Sequence, residues 1–134
     1  MFIKEISMKL RQLFMINLFI AIPISLMCIL LPAWSIKLYG LVPDEGSIWV
    51  TRLVGGSILG YASLMWFGSK SDAIKTRRAI ALALLIQDSV GLLASLEIQF
   101  SGKMNFLGWP LNVFTYGLLA LWYATFYFLK PEKC

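Results

Sequence analysis

The chain has few of the residues on which most enzymes and metalloproteins depend. It contains no histidine, which excludes His-ligated haem, most zinc and copper sites, and a Ser-His-Asp or Cys-His relay. Its two cysteines, Cys28 and Cys134, lie far apart and form no CxxC pair, so we do not expect a thiol oxidoreductase. The sequence therefore gives no catalytic residue, no metal site and no cofactor.

Charged residues are also scarce. Only 14% of the 134 residues are charged and 59% are hydrophobic, whereas roughly a quarter of an ordinary soluble domain is charged. Four membrane spans of about 20 residues each would account for this apolar surplus. The composition predicts an integral membrane protein, and we attribute the net charge of +5 to a cytoplasmic excess of Lys and Arg rather than to nucleic-acid binding.

Long apolar runs predict four spans. No charged residue occurs in positions 12–36, and this run is longer than the roughly 7–15 apolar residues of a signal peptide, so we interpret it as an uncleaved anchor. We expect Ser47 to cap the second helix. With short connections, residues 1–134 are predicted to form one all-α domain, an antiparallel four-helix bundle in a membrane. The predicted spans are 13–34, 48–69, 79–100 and 107–129.

The distribution of basic residues predicts the orientation. If the N-terminus is cytoplasmic, nine basic residues lie on that side and only Lys37 and Lys103 lie on the other, which favours a cell-membrane protein with both termini inside. Trp34, Trp49 and Trp66 fall near the predicted span ends, where aromatic belts occur, as does Trp109. The nine basic residues are Lys4, Lys9, Arg11, Lys70, Lys75, Arg77, Arg78, Lys130 and Lys133.

Three ionisable residues lie inside the predicted spans, where each needs a partner, water or a functional role. By depth, Arg52 and Glu97 are the natural ion pair, and Asp88 lies deeper, near the middle of the third span. Asp88 and Glu97 are nine residues apart, which places them on opposite faces of their helix. The partner of Arg52, either Asp88 or Glu97, stays open at this point.

Stripes of small residues predict which helix faces pack. Arg52, Gly56 and Gly60 share one face of the second span, with a GxxxG spacing that favours close approach of another helix, and Asp88 shares a face with Gly91 on the third. We therefore expect Arg52 and Asp88 to point into the protein.

From these faces we predict a polar pocket that opens toward the outside. The alternative is a structural role, in which an Arg–Asp pair fixes the packing of the helices and Asn17 and Gln87 form hydrogen bonds between them. The predicted ligand-binding residues are Arg52, Asp88, Asn112, Tyr61 and Tyr116.

The second span carries a family resemblance. The segment Arg52-Leu-Val-Gly55-Gly56-Ser-Ile-Leu-Gly60-Tyr61, with the preceding Leu38-Tyr39-Gly40, resembles the Arg-x-x-Gly entry of small four-helix bacterial membrane proteins of the DoxX-like group. The resemblance implies a compact bundle in the bacterial inner membrane and association with membrane redox enzymes. The chain offers no redox ligand of its own.

Three functional classes follow. The favoured one is a small membrane accessory or binding protein, or a subunit of a larger membrane complex, whose interior pocket binds a membrane lipid, a quinone or another small amphiphile. The second is a small transporter that uses an intramembrane carboxylate and works as a homo-oligomer. The third is an isomerase-type membrane enzyme in which Asp88 and Glu97 transfer protons, and their opposed faces weigh against it.

Overall fold

The structure is a computed structural model that describes the backbone of residues 2–129 and the side chains of residues 10–128. Every regular element within these limits is helical, which confirms the prediction of an all-helical chain for the described part. Cys134 and the basic residues Lys4, Lys9, Lys130 and Lys133 lie outside the described side chains. The elements are α1 (Phe2–Leu30), α2 (Pro32–Leu38), α3 (Glu45–Lys70), α4 (Ile74–Phe100), a π-helical segment (Trp109–Phe114), α5 (Thr115–Ala124) and a second π-helical segment (Thr125–Leu129).

Three helices in the described part of the chain are long and apolar enough to cross a membrane. They occupy Leu10–Leu30, Glu45–Lys70 and Ile74–Phe100 and overlap the first three predicted spans. In place of the fourth predicted span, 107–129, the chain forms two π-helical segments with α5 between them. We refer to residues 109–129 as the fourth helical stretch.

Proline ends the first long helix earlier than the sequence predicts. Leu31 has a non-helical backbone conformation and separates α1 from α2, which begins at Pro32, a residue that tolerates the first turn of a helix because it lacks an N–H. The Ser35 hydroxyl donates to the carbonyls of Met27 at 3.2 Å and Leu31 at 3.1 Å. A side chain therefore covers carbonyl groups at the break, as membrane helices require.

A capping box starts α3. The N-cap is Asp44, not Ser47 as predicted, because the Asp44 carboxylate accepts from the Ser47 amide at 2.6 Å and the Ser47 hydroxyl accepts from the Asp44 amide at 2.9 Å. Two helix-terminal donors are thus satisfied reciprocally. The hydrogen bonds from the Ser47 side chain and backbone lower the pKa of Asp44, which is fully exposed.

The closest helix packing joins α1 to α3. These helices run antiparallel, since Phe14 lies near Gly68 and Ser25 lies near Gly55. A Cβ atom at Gly55 would lie 2.8 Å from Ile29 Cγ1 and 3.0 Å from the Ser25 carbonyl oxygen, so only glycine fits here. The buried Ser25 hydroxyl donates to the Gly55 carbonyl at 2.8 Å.

The fourth helical stretch packs against α4 in the same manner. A Cβ atom at Gly91 would lie 2.8 Å from Tyr116 Cε1, so the phenol ring lies directly over the α4 backbone. The core contains the largest fully buried side chains, which include Tyr123, Phe14 and Met65. It lies toward the end of the helices where α1 starts and α3 ends.

Polar contacts join the connections at each end of the helices. At one end Asn105 donates from its backbone amide to the Tyr39 carbonyl at 2.9 Å and from its side chain to the Leu38 carbonyl at 2.9 Å. At the opposite end Arg11 of α1 forms a salt bridge with Asp72, between α3 and α4. The hydrogen bonds of Asn105 thus hold the α2–α3 connection against the connection that follows α4. The salt bridge of Arg11 holds the start of α1 against the α3–α4 connection.

Candidate binding site

A cavity of about 80 Å³ lies between α1, α3, α4 and the fourth helical stretch. A cavity needs a volume of roughly 10–15 Å³ to hold one water, so this cavity has room for several waters or a small ligand group. Four of the five predicted ligand-binding residues line it, namely Asp88, Asn112, Tyr61 and Tyr116.

Asp88 is the most polar group of the cavity. Its side chain is 3% exposed, and its Oδ2 atom has no hydrogen-bond partner among the described residues. Among residues 10–128, no Lys or Arg lines the cavity. A buried carboxylate without a cation is unfavourable, and sites of this kind in membrane helices are associated with function.

A π-helical segment positions the wall opposite α4. Asn112 lies within Trp109–Phe114, and Thr115 and Tyr116 follow at the start of α5. The segment begins near Pro110, whose missing N–H is tolerated in a first turn. π-Helical turns are rare and occur frequently at functional sites.

Hydrogen bonds fix part of the polar lining. The Tyr39 hydroxyl donates to Asn112 Oδ1 at 3.1 Å, which ties the α2–α3 connection to the π-helical wall. Asn17 Nδ2 donates to the buried Tyr123 hydroxyl at 3.0 Å. Burial raises the pKa of Tyr39 further above neutral pH.

The sequence did not predict the whole lining. Asn17, Tyr39, Gln87 and Thr115 also line the cavity. Asn17 and Gln87 carried a signal, since both are polar residues within apolar runs, and the structural alternative predicts that each forms a hydrogen bond between helices. Asn17 does so, since it donates from α1 to Tyr123 of α5. Gln87 Oε1 instead is buried with no hydrogen-bond partner among the described residues. Tyr39 precedes α3 in a connection and carried no periodic signal.

The structure corrects the position of Arg52. Its side chain is exposed and lines a shallow surface groove with Trp34 and Lys37, away from the cavity that contains Asp88. Glu97 is also exposed. Among the described residues no salt bridge joins Arg52 to Glu97 or to Asp88, which differs from both predicted pairings.

The error has a physical origin in the glycines of α3. Gly56 and Gly60 were predicted to pack, yet both are exposed, and a Cβ atom at either would meet no atom within 4 Å. The packing glycine is the preceding residue, Gly55, and one position turns a helix by roughly 100°. Arg52 shares the Gly56 face and is therefore turned outward with it.

The two carboxylates that the sequence places in the third predicted span do not share a site. Asp88 is buried and lines the cavity, whereas Glu97 is exposed on the same helix. Among the described residues no group of three His, Cys, Asp or Glu side chains could hold a metal ion. The chemistry that the cavity supports is therefore binding through one carboxylate, amides and phenols.

No model of a known protein family, no curated protein and no solved structure matches the chain. The resemblance to the DoxX-like group thus stays a prediction from the Arg52–Tyr61 segment. Function must be argued from the cavity itself.

Proposed function

We propose that the chain is a small integral membrane binding protein, built as an antiparallel four-helix bundle, with both termini on the cytoplasmic side of a cell membrane. Three helices of the described chain have the length and apolar character of spans, and residues 109–129 would supply the fourth. All four tryptophans near the predicted span ends are more than a third exposed, as lipid-facing aromatic rings would be. They are Trp34, Trp49, Trp66 and Trp109.

The charge at the two ends of the helices supports this orientation. The Arg11–Asp72 salt bridge brings the start of α1 to the α3–α4 connection, so basic residues from both gather at one end. Lys37 and Lys103 lie at the opposite end, near the contacts of Asn105. Basic residues favour the cytoplasmic side. Those at the first end are Arg11, Lys70, Lys75, Arg77 and Arg78.

The interior cavity binds a small amphiphile, such as a membrane lipid or a quinone, and the protein serves as an accessory to a membrane complex. The observation that carries this proposal is the unpartnered, buried carboxylate of Asp88 in a cavity with a mixed lining. Tyrosines and amides line it beside aliphatic side chains that include Ile20, Ile24 and Leu111. Binding sites for small molecules combine these features.

Native mass spectrometry of the protein extracted gently from its own membrane tests the proposal. We expect a retained small molecule, a partner protein or both. Ala21 lines the cavity and is buried, so Ala21→Phe should fill the space and release the small molecule. Gly56→Phe is the matched control because it adds the same side chain on an exposed face. A wild-type spectrum of bare protein without ligand or partner would contradict the proposal.

A further inference from the structure

The cavity offers hydrogen-bond acceptors that nothing in the described chain satisfies. Asp88 Oδ2 and Gln87 Oε1 are both buried without a partner, and both residues line the cavity. Leaving such acceptors unpaired costs roughly 1–3 kcal/mol each, and more for a charged group. A ligand that donates hydrogen bonds would remove this cost.

The charge in the cavity lining is of one sign, which is negative. Its lining, as far as the described side chains form it, contains one carboxylate and no Lys or Arg. The basic residue predicted to balance it, Arg52, lies in a different groove on the surface. A positive charge that balances ionised Asp88 would therefore have to come from outside the described lining.

Three aromatic rings complete the environment. Tyr39, Tyr61 and Tyr116 line the same cavity as Asp88. The faces of aromatic rings carry negative charge density and attract ammonium groups, and cages of several rings recognise organic cations. The tyrosines come from three elements, which are the α2–α3 connection, α3 and α5.

We propose that the cavity binds an organic ammonium ion that carries N–H groups. The N–H groups donate to Asp88 and Gln87, the charge lies among the three tyrosine rings, and a short alkyl part contacts the aliphatic wall. A volume of about 80 Å³ favours a compact ammonium head group. This inference rests on the proposed function and specifies the chemical class of its ligand.

Three small probes separate the contributions to binding. n-Butylammonium has both charge and N–H donors, tetramethylammonium has charge without donors, and n-butanol has a donor without charge. Ligand-observed saturation-transfer NMR with the full chain in lipid nanodiscs measures each, after subtraction of empty nanodiscs of the same lipid. We expect n-butylammonium to bind most tightly, by about tenfold or more over n-butanol.

Two carboxylate-to-amide variants on the same helix test the contact. Asp88→Asn should weaken n-butylammonium binding by about tenfold or more and leave n-butanol binding unchanged. Glu97→Gln makes the same change in net charge at an exposed position and should alter neither. Equal loss in both variants, or no loss in Asp88→Asn, would overturn the inference.

The wild-type protein alone keeps the inference falsifiable if Asp88→Asn fails to fold. Equal binding of n-butylammonium and n-butanol by the wild type would refute the ammonium site while leaving the proposed amphiphile-binding function intact. Tighter binding of tetramethylammonium than of n-butylammonium would refute the role of N–H donors. If no probe binds and no molecule is retained in the native spectrum, both proposals fail.

Discussion

The space between α1 and α3 is filled more closely than the space between these two helices and α4 with the fourth helical stretch. Between these helices, Gly55 lies against the Ser25 carbonyl and leaves no room for a methyl group. Where they face α4 and the fourth helical stretch, a cavity of about 80 Å³ remains, and a carboxylate lies in its wall. Close packing is what stabilises helix association in lipid, where apolar surface gives little driving force. The tight contact between α1 and α3 at Gly55, which we call the seam, therefore stabilises the fold, whereas the cavity is the region for which we propose binding.

The largest effect is expected from overfilling the seam. Gly55→Leu should lower the free energy of unfolding by about 3 kcal/mol, in the upper part of the range for overpacked cores, because the Ser25 carbonyl oxygen and the Cys28 Cβ atom oppose the new side chain. Thermal unfolding in detergent, followed by circular dichroism, measures it. Gly56→Leu, one position along on the open face, should be neutral or should stabilise the protein by up to about 1 kcal/mol, since leucine favours a helix over glycine. Similar losses in both variants would contradict the difference between the two faces.

The cavity wall should respond less strongly. Gly91→Ala places a methyl group against the Tyr116 ring, which can shift, so we expect a loss of roughly 1–2 kcal/mol. Gly117→Ala on the facing helix should be neutral or stabilising, since its Cβ would lie 3.7 Å from Leu92 Cδ1, an ordinary contact. Thermal unfolding of the two variants compares them directly. A more stable Gly91→Ala protein would show that the ring does not lie over this glycine.

The capping box at Asp44 gives a smaller, pH-dependent effect away from both regions. Because the folded-state pKa of Asp44 is lowered, the stability from the cap is present above the usual pKa of an aspartate and is lost as the pH falls through the lowered value. Thermal unfolding between neutral and strongly acidic pH should show a modest loss that is absent in Asp44→Asn, since Asn caps without titrating. The same acid loss in Asp44→Asn would exclude the cap as its source.

The smallest effect expected is the coupling between Arg52 and Asp88. The two side chains line separate sites and share no partner among the described residues. The changes in unfolding free energy of Arg52→Gln and Asp88→Asn should therefore add within about 0.5 kcal/mol in the double variant. A double-mutant cycle by thermal unfolding measures this, and a coupling above 1 kcal/mol would restore the predicted ion pair.

Apolar runs and small-residue patterns account for the part of the fold that the sequence could predict. The long apolar segments located the first three helices, and the stripe of Asp88 and Gly91 located the inner face of α4. Gly55 and Gly56 are neighbours, however, and the GxxxG spacing marks Gly56 with Gly60, whereas Gly55 is the glycine that faces α1. This difference of roughly 100° placed Arg52 on the wrong side.

Other features had no periodic signal to predict them. Tyr39 reaches the cavity from a connection, and Asn105 joins two connections through backbone and side-chain hydrogen bonds that depend on the tertiary fold. The π-helical segment at Trp109–Phe114 replaces part of a predicted regular span, although Pro110 marks its start. In this segment the local sequence predicts a helix, whereas packing determines the pitch of that helix.

The π-helical segment also bears on how this chain tolerates insertions and deletions. A π-turn contains about one residue more than the α-turn it replaces. Deleting one residue from Trp109–Phe114 would restore regular pitch and rotate the preceding residues by roughly 100° relative to α5. Tyr116 would keep its contact with Gly91, whereas Asn112 would turn away from Tyr39. A single-codon change could thus turn one wall of the cavity away while the helix itself stays in place.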